Sequence, residues 1–145
     1  MSRFIGIDHG TRRIGLAVVD TETGMAFARP ALRRRNEKDD LAAIGEMARA
    51  EGARLVVIGL PRNMDGSEGP QAAAARAFGE RLAAAGLEVA YEDERLTSWE
   101  AGARLAGEGW RGDRRSGELD SAAARLILQQ YVDARHRPGI LEETE

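Results

Sequence analysis

The sequence predicts an α/β fold, a mixed five-stranded sheet with strands 1–3 antiparallel, strands 4–5 parallel, and helices on both faces. Two observations lead there. Residues 3–33 hold three apolar runs of strand length separated only by short turns, the pattern of an antiparallel meander. From residue 37 onward, stretches with helical spacing alternate with apolar runs, the pattern of parallel strands joined by right-handed crossovers.

Each element has its own local reason. "RFIGIDH" (3–9) and "RRIGLAVVD" (12–20) are apolar runs around a Gly-Thr-Arg turn and read as a hairpin. "TETG" (21–24) is a second turn, and "MAFARPALR" (25–33) a third strand, placed at an edge because Pro30 cannot donate to a ladder. Residues 37–51 space Leu41, Ile44, Met47 and Ala48 at helical intervals, and Gly52 stops them. "ARLVVIGLP" (53–61) is a continuous apolar run, as expected of a strand covered on both faces. A polar, Gly-rich loop, "RNMDGSEG", follows. Pro70 suits the first turn of an alanine-rich helix over 70–85, and Gly86 its end. "LEVAYEDE" (87–94) reads as a fifth strand. "TSWEAGARLAGEG" (97–109) reads as a helix capped by Thr97 or Ser98. A Gly- and Arg-rich loop reaches residue 117, and "LDSAAARLILQQYVDARH" is the last helix. One domain is expected over 1–137, with 138–145 a flexible tail.

Composition narrows the chemistry. The 145 residues are 43% hydrophobic and 31% charged, as in a soluble globular domain, and a cytoplasmic location is expected. No apolar run approaches the ~20 residues needed to span a membrane, so no membrane partner is expected. There is no cysteine and there are two histidines, so a metal site must rest mainly on carboxylates, which suit hard ions such as Mg²⁺ or Mn²⁺. Net charge is −3, so charge as a whole does not announce a nucleic-acid binder, although "RRR" (33–35) and "RGDRR" (111–115) are locally basic.

Three acids stand out. Asp8 lies in an apolar hairpin, where an isolated carboxylate is expensive unless it is paired or binds a metal. Glu94, preceded by Asp93, closes the fifth strand. Asp120 opens the last helix in a row with Ala124, Ile127 and Tyr131, so it should face the sheet. Taken singly, Asp120 could be a helix cap and Glu94 could pair with Arg95 on a solvated strand end. Taken together, acids from three distant segments at element ends on one rim form a divalent-metal site. Carboxylate-held metals, two per site, activate water and stabilise the leaving oxygen in phosphodiester hydrolysis. Mutual repulsion is expected to raise the carboxyl pKa values without metal.

The blocks "GIDHGTRRIGLAVVD", "VVIGLPRNMDGSEGPQ", "EDERLTSWEA" and "LDSAAARLILQQYV" together resemble the YqgF or RuvX-like family of pre-16S rRNA nucleases and Holliday junction resolvase homologues. The resemblance spans about residues 4–133. It implies an RNase H-like fold and a metal-dependent nuclease that processes the 5′ end of pre-16S rRNA, with Asp8, Glu94 and Asp120 as catalytic metal ligands. It places the family's loop motif on Gly59, Leu60, Pro61, Asn63, Asp65 and Gly66. The family often has lysine just before the last acid; here "RRSGEL" stands there, leaving Arg114 or Arg115 as the basic contact.

Substrate contacts are expected from Gly10, Thr11, Arg12 and Arg13 in the first turn, and from Arg62 and Asn63 in the Gly-rich loop. Arg95 and Thr97 are further candidates. The partner is nucleic acid, either pre-rRNA or branched DNA. A resolvase would act on four-way DNA as a homodimer, because paired nicks need two sites. A binding module that kept the fold but lost catalysis is the third reading; the presence of all three acids argues against it. A sugar-kinase-like phosphotransferase also opens on an "IDHGT"-like turn, but it needs two such domains, and this chain supplies one.

Overall fold

The computed structural model describes residues 2–93 and 118–135. Strands β1 (Arg3–His9), β2 (Arg13–Asp20) and β3 (Ala26–Arg33) are followed by helix α1 (Glu37–Glu51) and strand β4 (Ala53–Leu60). Helix α2 (Pro70–Ala84), strand β5 (Glu88–Asp93) and helix α3 (Glu118–Arg135) complete the order. The five strands form one sheet in the order β3-β2-β1-β4-β5. β1 pairs antiparallel with β2, and β2 with β3, whereas β4 runs parallel to both β1 and β5. Both the expected mixed topology and the edge position of the Pro30 strand are found.

Pro30 also has a local effect. Ile14 pairs with Leu32 and Leu16 with Arg29, so Pro30 and Ala31 together face the single residue Gly15. This is a bulge at the point where the missing proline N–H interrupts the ladder.

The helices cover opposite faces. Ile44 and Ala48 of α1, and Ala75, Phe78 and Leu82 of α2, pack on Ile5, Ile7, Ile14, Leu16 and Ile58. On the other face Ala124, Ile127, Leu128 and Val132 of α3 pack on Phe4, Ala17, Val19 and Val57. Alternation along the strands thus sorts the site residues in advance: Asp8 shares a face with Phe4 and Gly6, under α3, and His9 faces α1 and α2 with Ile5 and Ile7.

Helix ends follow the capping chemistry of the sequence. Asn36 caps α1 by accepting the Asp39 N–H at 2.8 Å, and Gly52 ends it with φ 66°, a left-handed conformation that favours glycine. Pro70 occupies the first turn of α2. The expected helix over 97–109, the loop to 117 and the tail from 138 lie outside the described residues.

Candidate active site

The site begins with a close approach. Asp8 sits opposite Gly15 in the β1–β2 ladder. A Cβ on Gly15 would lie 2.0 Å from the backbone oxygen of Asp120. Only a glycine lets the first turn of α3 rest on β2 this closely. The buried Ser121 hydroxyl accepts the Leu16 N–H at 3.2 Å and pins the contact. Because Gly15 faces both acids, one from β1 and one from α3, Asp8 and Asp120 line the same cleft.

That cleft has a volume of about 570 Å³ and its walls include Gly10, Thr11, Arg12, Arg13 and Arg62. Gly10 donates to the Arg13 carbonyl at 3.0 Å and closes the β1–β2 turn, leaving Thr11 and Arg12 exposed at its tip. Burial pushes the Asp120 carboxyl pKa up, and Arg13 partly opposes the shift. The direction matches the expectation, but the cause for Asp120 is desolvation rather than carboxylate repulsion.

Arg62 reaches the cleft from the loop after β4. Its guanidinium lies 3.3 Å from Glu68 and 3.9 Å from Asp93, and Glu68 in turn makes two 2.8 Å bonds to Arg76. Asn63 is not part of the cleft wall. Its backbone N–H and side-chain amide both donate to Ser67, each at 2.9 Å, and close the Gly-rich loop. Glu94, Arg95, Thr97, Arg114 and Arg115 lie outside the described residues. Among the described residues no three acids or histidines are grouped to hold a metal. Asp8 and Asp120 supply two hard oxygen donors at one place, so the donor chemistry fits a divalent cation that needs further ligands.

One part of the cleft wall escaped the sequence reading. Asp40, 1% exposed, accepts from Arg34 Nε at 3.2 Å and from the Arg35 N–H at 3.1 Å. Arg34 Nη1 in turn donates to the Gly10 carbonyl and to His9 Nε2, both at 3.1 Å. The His9 ring stacks at a tilt on Phe78, with centroids 4.9 Å apart. Because arginine only donates, His9 Nε2 must accept, which requires the neutral ring. The signal lay in "RRRNEKDD": an arginine at a strand end, six residues before an acid on the inner side of the next helix.

Burial, reinforced by the Arg34 charge and opposed by Asp40, lowers the His9 pKa from 6.5 to about 4. The unfolded chain therefore takes up a proton near pH 6.5 that the folded chain refuses until about 4. The stability due to neutral His9 is complete above pH 6.5 and is lost progressively toward pH 4. Melting curves from about pH 7 to about pH 4.5 should fall more steeply for wild type than for His9→Gln. Parallel slopes would refute the assignment.

Against this geometry, a family model described as "RuvX: Holliday junction resolvase" matches residues 2–134. The chain belongs to the RuvX family. Its curated relatives include a "Putative pre-16S rRNA nuclease" of Anaeromyxobacter dehalogenans, 48% identical over 92% of this chain and 98% of the relative. A protein of the same name from Moorella thermoacetica is 45% identical over 95% of this chain and 99% of its own length. Among solved structures, T. thermophilus RuvC in complex with a Holliday junction substrate aligns with TM-score 0.59 at 18% identity, covering 93% of this chain and 96% of RuvC. The large terminase nuclease of phage G20c aligns with TM-score 0.57 at 16% identity, covering 94% and 83%. At these identities the likeness is one of fold, and it bears out the RNase H-like architecture for this RuvX-family chain.

Proposed function

We propose that this chain is a divalent-metal-dependent nuclease that hydrolyses phosphodiester bonds in the 5′ flank of pre-16S rRNA. The observation that carries the reading is the meeting of Asp8 and Asp120 in one cleft beside the arginine-bearing turn. The names of relatives at 42–48% identity over most of the chain supply the RNA substrate.

Asp8, Asp120 and Glu94, which directly follows Asp93 at the end of β5, are the proposed ligands of two Mg²⁺ or Mn²⁺ ions. When bound, such ions lower the pKa of an attacking water and stabilise the departing oxygen. The chain's own groups do the rest. Gly10 lets the strand approach the turn, and Thr11 donates to a phosphate oxygen. Arg12 and Arg13 neutralise phosphates on one side of the cleft and Arg62 on the other. Arg95, Thr97 and Arg114 or Arg115 are further proposed contacts, and Asn63 acts by holding the loop that carries Arg62. No described helix is long and apolar enough to cross a membrane, and a cytoplasmic site of action follows from the rRNA substrate.

The family description favours one competing reading, a homodimeric resolvase that cuts four-way DNA. A single experiment separates them. Wild type, Asp8→Ala and Glu94→Gln are incubated with Mn²⁺ and either pre-16S rRNA or a four-way DNA junction. Cleavage of the RNA flank by wild type alone is expected. Symmetric paired cuts in the junction, with the RNA intact, would establish the resolvase instead. Equal cutting by the Asp8 variant would overturn the assigned site.

A further inference from the structure

The corner of the sheet where β2 meets β3 has an unusual charge arrangement. Arg13 and Arg33 are direct partners on the β2–β3 ladder. Like charges directly opposite one another destabilise an antiparallel pair. Just beyond that rung the Arg34 N–H donates to the Arg12 carbonyl at 2.9 Å, which brings Arg12, Arg34 and Arg35 to the same corner. Five arginines from two segments therefore converge.

Their neutralisation is uneven. Arg34 is held by Asp40, and Arg13 interacts with Asp120. Arg12, Arg33 and Arg35 are exposed, and their guanidinium groups pair with no carboxylate among the described residues; Arg35 meets Asp40 only through its backbone N–H. Several other arginines are paired even on open surface: Arg3 and Arg29 with Glu51, Arg49 with Glu46, Arg81 with Glu37, Arg135 with Glu92. The acids that follow this corner in the chain are already engaged. Glu37 pairs with Arg81, Asp39 with Asn36, and Asp40 with Arg34. Arg12 lines the cleft, so the unneutralised corner is continuous with it.

We infer that Arg33 and Arg35 extend the site into a phosphate track, which carries the RNA strand from the cleft across the β2–β3 corner. The inference rests on the nuclease reading for the identity of its ligand. Phosphates laid along the corner would replace the missing carboxylates and relieve the Arg13–Arg33 repulsion. It also sets polarity on the protein: the bound flank leaves on the β3 side of the cleft, away from Arg62.

The test measures binding without cutting. Anisotropy of a labelled single-stranded RNA from the pre-16S 5′ flank is titrated in Ca²⁺ at several salt concentrations. The proteins are wild type, Arg33→Gln/Arg35→Gln, and Arg3→Gln/Arg49→Gln as a control of equal charge change, because Arg3 and Arg49 pair with Glu51 and Glu46, away from the corner. Each phosphate contact on a single strand contributes about 0.7 to the slope of log K against log salt, so the first variant should lose about 1.4. The control should keep the wild-type slope, and a cooperative thermal melt should show that each variant is folded. A wild-type slope in Arg33→Gln/Arg35→Gln overturns the track. An equal loss in the control also overturns it, because net charge alone would then be responsible. If wild type binds with the expected slopes but cuts no RNA with Mn²⁺, the nuclease reading fails while the track stands.

Discussion

Asp120→Asn should lower RNA cleavage by about 100-fold or more while leaving the protein as stable as wild type, or more so. Even groups that only orient a metal ligand change affinity or activity by about 10- to 100-fold, and Asp120 is proposed as a ligand itself. Asparagine retains size and one carbonyl oxygen but no charge, so it holds a divalent cation poorly. The stability expectation has the opposite sign for a stated reason. Burial raises the Asp120 pKa, so the folded state carries that carboxylate at a disadvantage near neutral pH. Removing the charge removes the disadvantage. Function and stability pull apart at this position, as they do where a site keeps a group for chemistry rather than packing. Single-turnover cleavage, calorimetry with Mn²⁺ and a thermal melt read the three consequences. A variant that cuts at the wild-type rate ends the assignment of Asp120 as a ligand. One that melts far below wild type makes Asp120 structural.

Much of this arrangement was legible because it depends on local pattern. Pro30 announced an edge strand, and a β3 edge is found, with the added bulge opposite Gly15. The helical row Asp120, Ala124, Ile127 and Tyr131 announced an inward acid. Ala124 and Ile127 are fully buried on the sheet with Tyr131 packed beside them, and Asp120 lines the cleft. The α1 boundaries agree with the sequence at both ends, since Asn36 and Gly52 fix them chemically. What local pattern does not contain is pairing at a distance. "RRR" reads as one basic run, yet its members part ways: Arg34 turns inward to Asp40, His9 and Gly10, while Arg33 and Arg35 stay exposed. Nothing within a few residues of Arg34 specifies His9, which arrives from a strand two positions away in the sheet. Asn63 shows the converse. A polar side chain in a Gly-rich loop suggests a ligand contact, and the structure adds a local role, the amide donating within the loop to Ser67.

Gly15→Ala should be among the most damaging single-methyl changes in the molecule. The added carbon would meet three backbone atoms of α3: the Asp120 oxygen at 2.0 Å, its carbonyl carbon at 2.3 Å and the Ser121 nitrogen at 2.9 Å. No flexible side chain is available to yield, so the start of α3 or the β2 backbone must move. Overpacking usually costs about 1–3 kcal/mol, and a clash between two main chains belongs at the upper end. Of a typical total of about 5–15 kcal/mol, that loss lowers the melting temperature but leaves a folded population. Activity should fall further than stability. Lifting α3 off β2 breaks the Leu16–Ser121 hydrogen bond and carries the Asp120 carboxylate away from Asp8. Gly45 provides the contrast, because it sits within α1 and a Cβ there would meet nothing within 4 Å. Gly45→Ala should stabilise the protein by about 0.5–1 kcal/mol through helix propensity alone, with cleavage unchanged. Urea unfolding of both variants, with cleavage measured where each is fully folded, decides the matter. If Gly15→Ala unfolds with the wild-type midpoint and cuts at the wild-type rate, then the close seat of α3 on β2 is not what brings the two acids together.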